Sequence, residues 1–176
     1  VKNRIKDNSG YSLVELIIVL GIIAVLSGVS MISISAISTS RATSAKEKFD
    51  QEIATLESKT KSQDGDSAIM LKKDGDTYYI YYGTCAPDSD GTTYSAGNFK
   101  ADSTTADVKL DKVTIYYTPD GGTESELTTS QVIKVKKSDG KVVLGSGKYK
   151  FCKRGSTNSV GTVTINKATG SHYTGN

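Results

Sequence analysis

From Leu13 to Ile37 the chain carries a single charge, Glu15. The run exceeds the about 20 residues that a helix needs to cross a bilayer. A helix made from it is apolar on every side, so it cannot rest against water on any face. Glu15 is the anomaly in the run. A carboxylate in hydrocarbon costs about 2.5–3.5 kcal/mol on insertion scales, which calls for a partner. The preceding stretch, Lys2-Asn-Arg4-Ile-Lys6, is basic. By the positive-inside rule it predicts a cytoplasmic N-terminal flank. No small-residue cleavage site of the secretory type interrupts the run. Its far end, Ser27 to Ser40, is rich in Ser, Gly and β-branched residues.

Helical periodicity continues past the apolar run. Ala42, Ala45, Phe49, Ile53 and Leu56 fall on one face, the stripe of an amphipathic helix that packs on something. Glu57 precedes Lys61 by one turn, a favourable surface pair. The pattern predicts one helix from about Tyr11 to Lys61, roughly 75 Å long at 1.5 Å per residue. Gly21 and Gly28 interrupt its apolar half. Each costs about 1 kcal/mol relative to Ala, which marks them as points of close packing or of flexibility.

Ser62-Gln-Asp-Gly-Asp-Ser67 is rich in turn formers and predicts the end of the helix. The rest reads as β. Ala68 to Lys73 and Thr77 to Tyr82 flank Asp74-Gly75, a hairpin signal. Tyr78, Ile80 and Tyr82 alternate with Tyr79 and Tyr81. Further strands are predicted over Val108 to Thr118, Gln131 to Lys137, Val142 to Leu144, Tyr149 to Cys152 and Val160 to Asn166, with turns at Asp120-Gly-Gly122 and Ser138-Asp-Gly140. Ala86 to Asp107, full of Asp, Ser, Thr and Gly, predicts a long exposed loop. A long helix ahead of six or seven antiparallel strands makes an α+β protein.

Little in the chain suggests catalysis. The one histidine, His172, stands four residues from the last residue given and is predicted to face solvent. No Ser-His-Asp set or His-Cys cluster is evident, so the chain is expected not to be an enzyme and to need no cofactor. Gly145-Ser-Gly147-Lys148 has phosphate-loop residues but joins two strands, without the helix N-terminus that such loops use. Asp88-Ser-Asp90-Gly91 resembles the start of a calcium loop; without the later ligands it reads as a surface turn. The net charge is +3. Lys2, Arg4 and Lys6 against Asp7 supply +2 of it, leaving about +1 for the remainder and no broad field for nucleic acid. A local patch of Lys148, Lys150, Lys153 and Arg154 is the place where DNA would bind. The Tyr78 to Tyr82 strand has the rings to stack sugars or bases, but reads first as core and sheet surface. Cys85 and Cys152 are too far apart in sequence for a metal motif; they form one disulfide if the domain is exported, or two buried thiols.

The N-terminus resembles the prepilin signal of type IV pilins and type II secretion pseudopilins. The resemblance rests on the basic leader, on Gly10, on the uncharged run Tyr11-Ser-Leu-Val ahead of Glu15, and on Leu-Ile-Ile-Val after it. It implies cleavage between Gly10 and Tyr11 by a membrane prepilin peptidase, which then methylates the new amine on Tyr11. It also implies that Glu15 of one subunit meets the Tyr11 amine of a neighbour. Pairing two buried charges relieves the desolvation that each bears alone, so Glu15 sets the register of assembly. The chain departs from the family at Tyr11, where Phe is usual. It departs again at Ile32, where many pilins have a helix proline, which leaves Gly28 as the bending point. The resemblance also implies a Cys85–Cys152 bond that closes a large C-terminal region, as in many pilins.

The resemblance implies a pilin fold with this organisation: leader 1–10, a transmembrane and filament-core helix 11–40, its amphipathic half 41–61, and a β-rich extracellular domain 62–176. The expected role is a structural subunit, single-pass in the membrane and then built with copies of itself into a surface pilus for adhesion, motility or DNA uptake. An assembly ATPase and a platform membrane protein are the implied partners; DNA or a host surface are further ligands the family admits. The alternative is a minor pilin or an H-type pseudopilin of a secretion or competence system. Gly161-Thr-Val-Thr-Ile-Asn-Lys-Ala-Thr-Gly170 is weakly similar to the H-type ending. A membrane-anchored surface enzyme is a third class, without a visible site.

Overall fold

The computed structural model describes residues 12–62 and 67–175; inside the helix, the side chains of 29–34 lie outside the description. Helix α1 spans Leu13–Ser62. Its first turn closes where the Leu16 amide donates to the Ser12 carbonyl at 3.1 Å. Glu15 lies in that turn and Lys59 and Lys61 in the last, the charge order that complements the helix dipole. Residues 63–66, the middle of the predicted break, lie outside the described residues. The chain divides into two compact units, Val1–Ile37 and Ser38–Asn176.

In the first unit α1 is exposed on all sides over its described side chains. Gly21 and Gly28 are helical, and a Cβ at either would meet nothing within 4 Å. Ser27 donates its hydroxyl to the Ile23 carbonyl at 2.7 Å, a back-bond that often bends helices. Among the described residues no helix is long and apolar enough to cross a membrane; the described apolar side chains of α1 reach only to Gly28 before the undescribed stretch.

In the second unit two antiparallel sheets share a core with α1. The first contains β1 (Ser67–Asp74), β2 (Thr77–Pro87), β3 (Tyr94–Ala101), β4 (Val108–Asp111), β7 (Ser130–Val135) and β8 (Val142–Leu144), in the order β3-β2-β1-β7-β8 with β4 also on β2. The second contains β5 (Val113–Pro119), β6 (Ser125–Glu126), β9 (Gly147–Lys153), β10 (Ser159–Ile165) and β11 (His172–Gly175), in the order β11-β10-β9-β5-β6. Ala42, Ala45, Phe49, Ile53 and Leu56 of α1 are buried among Ile69, Tyr78 and Ile80 of the first sheet and Ile115, Tyr149 and Phe151 of the second. The Phe49 ring sits 4.9 Å from Tyr149 and 5.5 Å from Phe151, centroid to centroid.

The β1–β2 hairpin turns on Gly75, whose φ of 58° suits the first central position of a II′ turn. Three features depart from the sequence reading. Ala86 to Asp107 is not all loop, because β3 pairs with the outer half of β2. Tyr94 and Phe99 of β3 pack on Ala68, Cys85 and Val132, a satellite cluster on the side of the first sheet away from the main core. The strand predicted over Val108 to Thr118 breaks at Lys112, where φ is 53°; β4 stays in the first sheet and β5 leaves for the second. Finally, β6 and β11 are too short and polar to signal themselves. Each exists because a longer strand offers it an edge.

Candidate functional site

Every large apolar side chain from Leu13 to Leu26 is between 48 % and 76 % exposed. Covering each contributes on the order of 1 kcal/mol, and the set together on the order of 10 kcal/mol or more. A contiguous apolar surface of this kind marks a membrane or protein contact. Glu15 is exposed within it and, among the described residues, has no ion pair or hydrogen bond. It is the one charge on this surface. Gly10 and Tyr11, the expected cleavage and methylation positions, lie outside the described residues.

The packed half of α1 is tied to both sheets by polar contacts that local sequence patterns do not announce. The Tyr82 hydroxyl of β2 donates to the Glu52 carboxylate, and the Lys59 ammonium stands 3.7 Å above the Tyr82 ring. Burial first, and then the Glu52 carboxylate, push the Tyr82 hydroxyl well above its usual range. On the other side His172 of β11 meets α1. Its Nδ1 lies 2.8 Å from Glu57 Oε1 and its Nε2 3.4 Å from Asp50 Oδ1, with the side chain only 17 % exposed. The expectation that His172 faces solvent is therefore corrected. Pairing of β11 on β10 sets Ile165 opposite His172, and that register turns the ring onto the helix. Periodicity within a four-residue strand carries no such signal.

The expected cysteine bond is also corrected. Cys85 and Cys152 are both buried, and no disulfide joins them. Tyr78 and Ile80 of β2 face the main core, while Cys85 belongs to the satellite cluster on the opposite side. On β9, Tyr149 and Phe151 face the core, so the following Cys152 points the other way. Its thiol approaches the Thr157 carbonyl at 3.5 Å, while the Cys85 thiol approaches that of Ser95 at the same distance. The two sulfurs thus lie on the outer sides of different sheets. Burial raises the Cys152 thiol above its ordinary range.

The Asp88–Asp90 segment is a turn whose carboxylates are engaged from within. Asp88 accepts from Ser95 Oγ at 2.8 Å and Asn98 Nδ2 at 2.7 Å. Asp90 accepts from the Thr93 hydroxyl and from the Thr92 and Thr93 amides, and these bonds hold it below the usual carboxylate range. In the basic patch Lys150 pairs with Glu124 and Arg154 with Asp76, so at least these two of its four cations are already matched. Tyr78 and Tyr149 are fully buried. In the Gly145-Ser-Gly147 turn, two carbonyls accept from tyrosines: Gly145 from the Tyr149 hydroxyl at 2.8 Å and Ser146 from that of Tyr117 at 2.6 Å.

No curated protein and no solved structure matches the chain. Residues 5–31 do match a family model, described as the prokaryotic N-terminal methylation motif. The match takes in the start of the exposed apolar helix together with its lone glutamate. Residues 5–31 are thus the prepilin-type signal of type IV pilins and pseudopilins, here heading a chain whose remaining residues form a helix-backed antiparallel β domain.

Proposed function

We propose that this chain is a structural subunit of a type IV pilus. The contiguous exposed apolar surface of α1, with Glu15 as its one charge, carries this reading. Before assembly the segment 11–40 crosses the membrane once, with the leader in the cytoplasm. A prepilin peptidase cuts between Gly10 and Tyr11 and methylates the Tyr11 amine. Subunits then leave the membrane, driven by an assembly ATPase through a platform membrane protein. Each exchanges lipid for the apolar helices of its neighbours, and the β domains coat the filament in a pilin fold.

Glu15 fixes the register. The new Tyr11 amine, with a reference pKa of about 8, is a cation at neutral pH. A subunit arriving out of step would bury both charges unpaired, which costs several kcal/mol for each ion. The chain acts by assembling, not by catalysis.

Intact-mass and N-terminal analysis of sheared surface material tests the reading. A chain beginning at methylated Tyr11 and dominating that fraction is expected. The same processed chain at low copy would instead indicate a minor pilin or pseudopilin. A chain retaining Val1 to Gly10 and confined to the membrane would overturn assembly altogether.

A further inference from the structure

Thr55 and Ser62 of α1 donate their hydroxyls to the carbonyls one turn back, Gln51 and Ser58, at 2.8 and 2.9 Å. A helical hydroxyl ordinarily does this or points to solvent. Thr60 does neither. It is 1 % exposed, and its Oγ1 is buried with no hydrogen-bond partner among the described residues. A buried hydroxyl in that state calls for an acceptor. Thr60 lines a cavity of about 110 Å³ bounded by the last turns of α1, the turn that follows β7 and the turn between β10 and β11. The two turns touch: a Cβ on Gly170 would fall 2.0 Å from the Gly140 carbonyl oxygen. Backbone contact therefore fixes that wall of the cavity.

The lining is rich in donors and poor in acceptors. Lys61, in the last turn of α1, and Lys136, just past β7, both belong to it. Their ammonium groups have no ion pair or hydrogen bond among the described residues. Lys137 adds a third ammonium. Thr169 Oγ1 and Ser171 Oγ stand 2.6 Å apart; that contact uses one hydroxyl hydrogen and leaves the other to donate. Glu57 is the one carboxylate in the lining, and His172 Nδ1 engages its Oε1 at 2.8 Å. Asp139, on which Lys136 acts through space, is paired with Lys141 at 3.4 Å. The carbonyl end of α1 is a negative pole, which Lys61 offsets. Lys136 and Lys137 lie in no helix, so no dipole accounts for them. Such a lining repels a cation and offers a neutral polyol too few acceptors; it suits an anion. The donors come from three chain segments and so from different sides. That arrangement matches the three acceptor oxygens of a phosphate monoester better than the two in-plane oxygens of a carboxylate.

We infer that this cavity binds one phosphate group, as the free ion or as the end of a phosphomonoester. Thr60 and the Thr169–Ser171 pair donate to its oxygens, and Lys61 and Lys136 balance its charge. The site lies wholly within the unit Ser38–Asn176, so it stands independently of the membrane and filament stages proposed above.

The test uses the full chain in mild detergent at neutral pH. Backbone amide shifts are followed by NMR as sodium phosphate replaces sodium chloride at constant ionic strength. Saturable shifts centred on Thr60, Lys136, Gly140 and Gly170 are expected. Thr60→Val keeps the shape and removes the hydroxyl. It should weaken binding about tenfold, the loss of one hydrogen bond to a charged group. That hydroxyl has no partner before the ligand arrives, so the same variant should leave the melting temperature of the phosphate-free chain unchanged or higher. A lower melting temperature would show a structural hydroxyl and overturn the assignment. Lys136→Gln should also weaken binding about tenfold. Methyl phosphate separates the two sources. Binding as tight as that of phosphate assigns the site to the end of a phosphate-bearing molecule; failure to bind assigns it to the free ion. Shifts that do not saturate would mean diffuse screening of the lysines, and unchanged affinity in either variant would mean that phosphate sits elsewhere. Each of these would refute the inference.

Discussion

Replacing Phe49 with Ala tests whether α1 is a wall of the domain core or a rod laid on its surface. Phe49 is fully buried and touches aromatic rings of the second sheet at 4.9 and 5.5 Å. Phe→Ala changes at such sites cost about 3–5 kcal/mol, the lost transfer energy plus the cavity left behind. The two ring contacts, about 0.5–1.5 kcal/mol each, are already inside that figure. We expect a loss of about 4 kcal/mol, a large share of the about 5–15 kcal/mol that holds a typical domain together. For a chain of this size the melting temperature should fall by about 8–16 °C. Phe49→Leu keeps most of the volume and should cost about 1.5 kcal/mol or less. Gln51→Ala, on the exposed face, should stay within about 0.5 kcal/mol. The assay is denaturant unfolding of the full chain in mild detergent. It is followed by tyrosine signals, because the chain has ten tyrosines and no tryptophan. A midpoint shift at constant slope reads out stability. A loss under about 1 kcal/mol for Phe49→Ala would contradict a core shared by helix and sheets.

Four further outcomes follow from the same residues. Glu15→Leu should leave leader cleavage intact and abolish filaments, counted by electron microscopy; wild-type filament numbers would sink the registry role. Cys85 and Cys152 should resist thiol alkylation in the folded chain and both label in denaturant without reductant; a single disulfide-linked species by non-reducing mass analysis would contradict their placement on different sheets. Lys112→Gly should raise stability by up to about 1 kcal/mol by relieving the left-handed backbone, whereas Lys112→Val should lower it, and equal effects would mean that position carries no strain. At Gly83 a Cβ would come within 2.1 Å of the Lys100 carbonyl oxygen, so Gly83→Ala should detach β3 and raise amide exchange across 94–101, with unchanged protection counting against that close approach.

Some of this molecule was open to reading residue by residue. The apolar run and Glu15 stand out because hydrophobicity and charge are properties of adjacent residues. The stripe from Ala42 to Leu56 stands out because a helix returns every third or fourth residue to one side, and burial of that stripe requires only that something cover it. Tyr78, Ile80 and the hairpin at Gly75 were equally visible, since strand alternation and turn chemistry are local.

What the tertiary structure decided is which distant edges meet. Strand β3 has no apolar alternation of its own; its pairing with β2 and the seating of Tyr94 and Phe99 make it a strand. His172 looks like a solvent-facing residue until β10 supplies an edge for β11 and carries the ring to Asp50 and Glu57. Cys85 and Cys152 look like a pair until register sends them to the outer sides of separate sheets. One residue of phase in a strand reverses every side chain. That phase is set by long-range pairing, so it cannot be read from the neighbours of a single cysteine or histidine.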